Sequence, residues 1–137
     1  MIKTKHALGV LILLYAIAWV ATAVDWQWFY STGQTYLHFL GGLFIAFLIA
    51  SYYSSEFGKL SQPFRLFALI GIVMGVGVLW EFHEYILKFF AGQKATIAFG
   101  YDVTFIGDLA DTMKDLLMDT LGGMTVAVLH LFRRGNG

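Results

Sequence analysis

Four aspartates recur at steps of three and four in "GDLADTMKDLLMDTLGG": Asp108, Asp111, Asp115 and Asp119. Two glutamates, Glu81 and Glu84, stand three apart in "LWEFHEY", and His38 adds an imidazole in "TYLHFLGG". On an α-helix such spacings place side chains on one face, so each acidic set can aim inward as a unit. Carboxylates with one imidazole suit a hard or borderline divalent ion, and carboxylates on facing helices can hold two metals. Mg²⁺, Mn²⁺, Ca²⁺ and Zn²⁺ all fit this donor set, and the spacing does not choose among them. The expected metal ligands are His38, Glu81, Glu84, Asp108, Asp111 and Asp115, with Glu84 and Asp115 as the expected catalytic pair. Asp119 ranks below them, because a step of four drifts by about 40° per repeat on a 3.6-residue helix.

The elements that must position these groups are set by an unusual solvent. Hydrophobic residues make up 58% of the chain, aromatics 18% and charged residues only 13%. The mean hydropathy is +0.69. These values lie far from the soluble average and imply an integral membrane protein. With 137 residues, 1–137 is expected to be a single transmembrane domain, so the function must sit in the spans and their loops. Nine basic against nine acidic residues leave no net charge, so nothing here suggests nucleic-acid binding. The absence of cysteine excludes disulfides, thiolate ligands and cysteine nucleophiles. Any metal must be held by oxygen and imidazole.

A hydrocarbon core of about 30 Å takes about 20 helical residues to cross. Four stretches approach that length, near 7–24, 35–53, 64–87 and 111–132, and predict an all-α, polytopic four-helix transmembrane bundle. Lys3 and Lys5 before an apolar run ending in Ala21-Thr22-Ala23 also fit a signal peptide, but the first stretch is expected to be retained. Pro63 and the polar residues of "SSEFGKLSQPFR" predict a break between the second and third spans. Residues 88–107, rich in glycine and small polar side chains, are expected to form an outer loop able to fold back as a lid.

Lys3, Lys5, Lys59, Arg65, Arg133 and Arg134 flank one side of these spans, against Lys88 and Lys94, with Lys114 at the margin, on the other. Because basic flanks stay cytoplasmic, both termini are expected in the cytoplasm. The connection "DWQWFYSTGQT" has no basic residue and carries Trp26, Trp28 and Tyr30, as expected of an outer aromatic belt. In this orientation His38, Glu81, Glu84 and the aspartates, carried on three helices, converge on the outer leaflet. Glycines beside them, Gly41, Gly42, Gly71, Gly75, Gly77, Gly122 and Gly123, allow close helix approach.

Six carboxylates in a partly dehydrated site need compensation, because like charges and desolvation both penalise the anionic form. Lys114 lies off the acidic face by spacing, His38 supplies at most one charge, and no arginine is near. Bound protons or a bound cation remain. The plainer reading is that acids at a helix start complement its dipole and cap free amides, and for Asp108 capping is the stronger reading. Asp115, a full turn inside the span, is harder to explain that way. His83 points away from Glu81 and Glu84, toward lipid or headgroups.

The stretches "TYLHFLGGLF", "LWEFHEYILKFFAG" and "GDLADTMKDLLMDTLGG" resemble the bacterial YjdF-like inner-membrane family and, more loosely, VanZ-like proteins. That pattern has a histidine before small residues, a Glu-x-x-Glu near an aromatic, then G-D-x-x-D-T-x-x-D and a late glycine. It falls here on His38, Glu81, Glu84, Gly107, Asp108, Asp111, Thr112, Asp115 and Gly122, over residues 35–130. Asp119 and His83 lie outside it. The resemblance implies a multi-pass protein of the bacterial cytoplasmic membrane and brings no established reaction.

Intramembrane acids default to functional hypotheses. The leading one is a metal-dependent membrane hydrolase or transferase acting on a lipid-linked substrate, with the ion polarising a phosphoryl or glycosidic oxygen and Glu84 as the spare general base. The alternatives are a proton or cation transport or sensing protein, and a non-catalytic assembly protein, with a homo-oligomer compatible with each. Transport would need acids at every depth, and below Asp119 the fourth span reads "LGGMTVAVLHLF".

Overall fold

A computed structural model describes residues 3–26, 28–101 and 107–134. The described residues are helical throughout their regular elements. Helix α1 spans Thr4–Ala23, α2 Gln34–Tyr52, α3 Ser54–Lys59, α4 Gln62–Phe99 and α5 Leu109–Arg134. A π-helical turn, Phe29–Gly33, runs directly into α2. By length and composition, three helices, α1, α2 and α4, are able to cross a membrane. Helix α5 carries Asp111, Lys114, Asp115 and Asp119 in its first half and is less apolar.

The outer surface suits lipid rather than water. Ile12 on α1 is 62% exposed, and Phe82, Phe89 and Ile97 on α4 are more than half exposed. Charged side chains would occupy such positions in a soluble protein. Little of α1 is buried, only Ala7 and Ala21.

Helix α2 is the hub. It packs against α1, α4 and α5, with α5 its tightest partner. That pairing depends on two glycines. A Cβ on Gly42 would collide with the backbone of Asp119, and one on Gly122 would collide with the carbonyl of Phe39. Two helices can touch backbone to backbone only where neither projects a side chain. Gly77 and Gly123 serve α4 in the same way, against the Asp119 carboxylate and Val73. Gly71 and Gly75, expected to act likewise, have open space where a Cβ would stand, with none of the described residues within 4 Å. Below the glycines, Ala46, Leu69, Val73, Val126 and Ala127 form the apolar core. At the other end of α2, Ser51 Oγ lies 3.0 Å from Thr4 Oγ1, so α1 and α2 run antiparallel.

The break at Pro63 is present, with α3 in the gap and the proline in the first turn of α4. The outer loop expected over 88–107 is corrected by the structure, because α4 continues to Phe99. "KFFAGQKATIAF" lacks proline, and its alanines, lysines and glutamine are good helix formers, so Gly92 alone does not end the helix. Gly100 ends it, at φ 79° with its amide bonded to Thr96 O, a left-handed cap that glycine adopts without a Cβ clash. The Tyr101 hydroxyl then bonds the Thr22 carbonyl, tying this end of α4 to the end of α1. Residues 102–106 of the expected loop lie outside the described residues.

Candidate metal centre

Helices α2, α4 and α5 each contribute to one buried polar cluster. His38 on α2, Glu81 on α4, and Asp115 and Asp119 on α5 are all at most 8% exposed. The imidazole lies between the two aspartates. His38 Nδ1 is 3.2 Å from Asp119 Oδ2, and His38 Nε2 is 3.7 Å from Asp115 Oδ2. One atom from each of His38, Glu81 and Asp115 falls within 4.8 Å of the others.

Neighbouring groups satisfy part of this cluster and leave part of it open. The Thr112 hydroxyl donates to Glu81 Oε2 at 3.0 Å, so Thr112 orients that carboxylate. Glu81 Oε1 and Asp115 Oδ1 are buried and accept no hydrogen bond from the described residues. Buried carboxylate oxygens are costly to leave bare, and native proteins rarely do so without a ligand, water or proton. Lys114 does not lie clear of the acids, as its spacing suggested. Its Nζ is 2.5 Å from Asp111 Oδ1 and 3.9 Å from Asp115 Oδ1, at the exposed rim.

Glu84 sits one turn beyond Glu81, where its Oε1 accepts a 2.8 Å hydrogen bond from the Trp80 indole. It lines a small cavity of about 50 Å³ shared with His38, Tyr30 and Gln34. His83 lines this cavity too, with its ring 5.3 Å from Trp80 and 6.3 Å from Tyr15. Its Nδ1 is buried without a partner, so the lipid-facing placement expected of it does not describe the side chain.

Of the six expected ligands the structure gathers His38, Glu81 and Asp115, places Glu84 beside them, and keeps Asp108 and Asp111 apart. Asp108 is exposed and its Oδ1 accepts the Asp111 amide at 2.9 Å, which makes it the N-cap of α5. Asp111 is engaged by Lys114. Both belong to the helix entrance. Replacing Asp108 with alanine is expected to cost about 1 kcal/mol, read as a fall of a few degrees in thermal midpoint.

Asp119 is the residue the spacing undervalued. Its drift relative to Asp111 is real, but the imidazole of α2 reaches between Asp115 and Asp119 and needs only that adjacent pair. The available signal was the i, i+4 pair Asp115/Asp119 next to "LGG", which marks the point of close contact with a second helix.

The model of a family described as "Predicted membrane protein (DUF2238)" matches residues 3–136. The chain belongs to this family. Comparison with curated proteins and with solved structures returns no significant match. Membership of DUF2238 is consistent with the resemblance to a YjdF-like membrane family, and it agrees with the membrane character of α1, α2 and α4. In this DUF2238 protein the patterned residues divide into a buried centre and an exposed helix cap, and Gly122 of the same pattern is the α2–α5 contact.

Proposed function

We propose that this DUF2238 protein binds a divalent cation through His38 Nε2, Glu81 and Asp115, and uses the site on a lipid-linked substrate at the outer leaflet of the bacterial cytoplasmic membrane. The observation that carries the proposal is the pair of buried oxygens that accept no hydrogen bond from the described residues, Glu81 Oε1 and Asp115 Oδ1, in the same three-residue set as His38. Asp119 completes the arrangement. A carboxylate on Nδ1 fixes the tautomer of a ligating histidine and leaves Nε2 free for the ion. Mg²⁺, Mn²⁺, Ca²⁺ and Zn²⁺ are all compatible with two carboxylates and an imidazole.

In this reading α5 is a fourth span, held in the bilayer because Asp115 and Asp119 face α2 and α4 while Leu117, Leu121 and Met124 face outward. Lys3 and Lys5 around the start of α1, Lys59 on α3, Arg65 at the start of α4 and Arg133 and Arg134 at the end of α5, against Lys88 and Lys94 in the far half of α4, support cytoplasmic termini. A divalent ion supplies Lewis acidity toward a phosphoryl or glycosidic oxygen. Glu84, beside the centre and outside the three-residue set, is placed to take a proton as general base, which makes a hydrolase or transferase the preferred reaction class. A transmembrane ion path is disfavoured. Beyond Asp119 the buried positions of α5 among the described residues are Gly122, Gly123, Val126 and Ala127, which offer a permeating ion no side-chain ligand.

The test is elemental analysis of protein purified without chelator, together with thermal melts in added Mg²⁺, Mn²⁺, Ca²⁺ or Zn²⁺. A bound ion is expected, and stabilisation of about 2.7 kcal/mol at a hundredfold excess over the dissociation constant. Metal-free protein whose melting is unchanged by all four ions overturns the proposal.

A further inference from the structure

A second cavity, of about 370 Å³, lies between α1, α2 and α4 and is more apolar than the one beside Glu84. Its walls are Leu11 and Leu14 of α1, Ile45, Leu48 and Ile49 of α2, and Val76 of α4. Its lining also includes His38 and Asp119, with Tyr15 and Trp80. The small cavity beside Glu84 shares Tyr15, Leu37, His38 and Trp80 with it. An apolar chamber therefore meets a smaller, more polar one beside the imidazole.

We propose that the larger cavity holds one hydrocarbon chain of a membrane lipid, laid along α2 so that its head lies at His38 and Glu84. This deepens the proposed function and rests on it for the chemistry at the head, but the chain site stands on its own geometry. Its volume falls within the range of built ligand sites, about 300–1,000 Å³. From Leu37 to Ile49 the lining covers twelve helical steps, about 18 Å. One leaflet of a hydrocarbon core of about 30 Å is about 15 Å deep, so the cavity matches a single chain in length. Water is a poor occupant, since apolar cavities stay dry. A partner helix, about 10 Å across, is too wide to enter. Helix α1 forms the outer wall with only two buried residues of its own, so a chain can enter from the bilayer beside it.

The experiment uses the full chain in lipid nanodiscs containing phosphatidylglycerol with a diazirine at the end of one acyl chain, and maps the photolabelled residues. Labels are expected on Leu48 and Ile49, the lining residues farthest along α2 from His38. Leu14→Trp, which fills the cavity from α1, is expected to lower that labelling about tenfold, the equivalent of one side chain's burial. Ile12→Trp, on the outward face of α1, leaves it unchanged. Leu48→Trp fills the cavity from α2 and serves if Leu14→Trp does not fold, as judged by its melting transition. Labels confined to outward residues such as Ile12 and Val20, or labelling at Ile49 that neither filling variant reduces, overturn the proposal. His38→Ala separates the two readings: retained labelling at Leu48 and Ile49 supports the chain site whether or not the cation site survives.

Discussion

Gly42→Ala and Gly122→Ala are each expected to unfold the protein or cost it more than about 3 kcal/mol, whereas Gly75→Ala is tolerated or mildly stabilising. The added methyl is small, but its position decides the effect. On Gly42 it meets the backbone of Asp119, and on Gly122 it meets the Phe39 carbonyl. A flexible side chain could rotate away from such a methyl. A helix backbone cannot, so α2 and α5 must separate along their whole contact, and overpacking of this kind exceeds the usual cost of about 1–3 kcal/mol. Gly75 has open space around a Cβ, and alanine raises helix propensity there by roughly 1 kcal/mol. Thermal melts of the three variants in one detergent check the contrast. Equal midpoints for Gly42→Ala and Gly75→Ala would refute the backbone contact.

Cation affinity should then follow a graded series along α5. Asp115→Asn is expected to abolish binding of Mn²⁺, used as a spectroscopically convenient probe, while leaving the ion-free protein no less stable. The reason lies in what the aspartate costs when no ion is present. It buries a carboxylate whose Oδ1 accepts no hydrogen bond from the described residues and whose basic neighbours stand off, His38 Nε2 at 3.7 Å and Lys114 Nζ at 3.9 Å, so neutralising it relieves more desolvation than it loses in pairing. A merely structural Asp115 would give the opposite sign, with the variant losing stability in ion-free buffer. Asp119→Asn keeps a hydrogen-bond partner for His38 Nδ1 but not a carboxylate. The expected loss of affinity is about 10–100-fold, the usual effect of disturbing the group behind a ligating histidine. Asp111→Asn, at the rim and paired with Lys114, leaves affinity within about twofold, as a screened surface ion pair should. Titration of Mn²⁺ by electron paramagnetic resonance, with melts in chelator alongside, reads both quantities. Unaltered binding in Asp115→Asn would remove the centre from α5.

Much of this arrangement is legible in the residues. The apolar runs place α1, α2 and the start of α4 to within a few residues, because a bilayer leaves a helix few other ways to satisfy its backbone. His38, Glu81 and Asp115 are recoverable from depth and face together. Two features are not recoverable this way. The continuation of α4 through Phe99 is hidden because Gly92, Gln93 and Lys94 read as loop residues when polarity is taken for irregularity, although none of them breaks a helix. The place of Asp119 depends on how α2 crosses α5, and helical periodicity within one chain segment carries no information about crossing.

The carboxylates of α5 repeat every four residues at 111, 115 and 119, and this repeat creates an ambiguity that the acids cannot resolve themselves. If α5 slid by one turn, about 6 Å, Asp111 and Asp115 would stand where Asp115 and Asp119 now stand, and His38 would be offered an equivalent pair. The glycines break the tie. Such a slip would bring Met118 to the place of Gly122 against Phe39, where no side chain fits. The ruler that fixes the depth of the charges is thus a residue with neither charge nor side chain, and the two jobs of setting alignment and holding a ligand can mutate independently of one another.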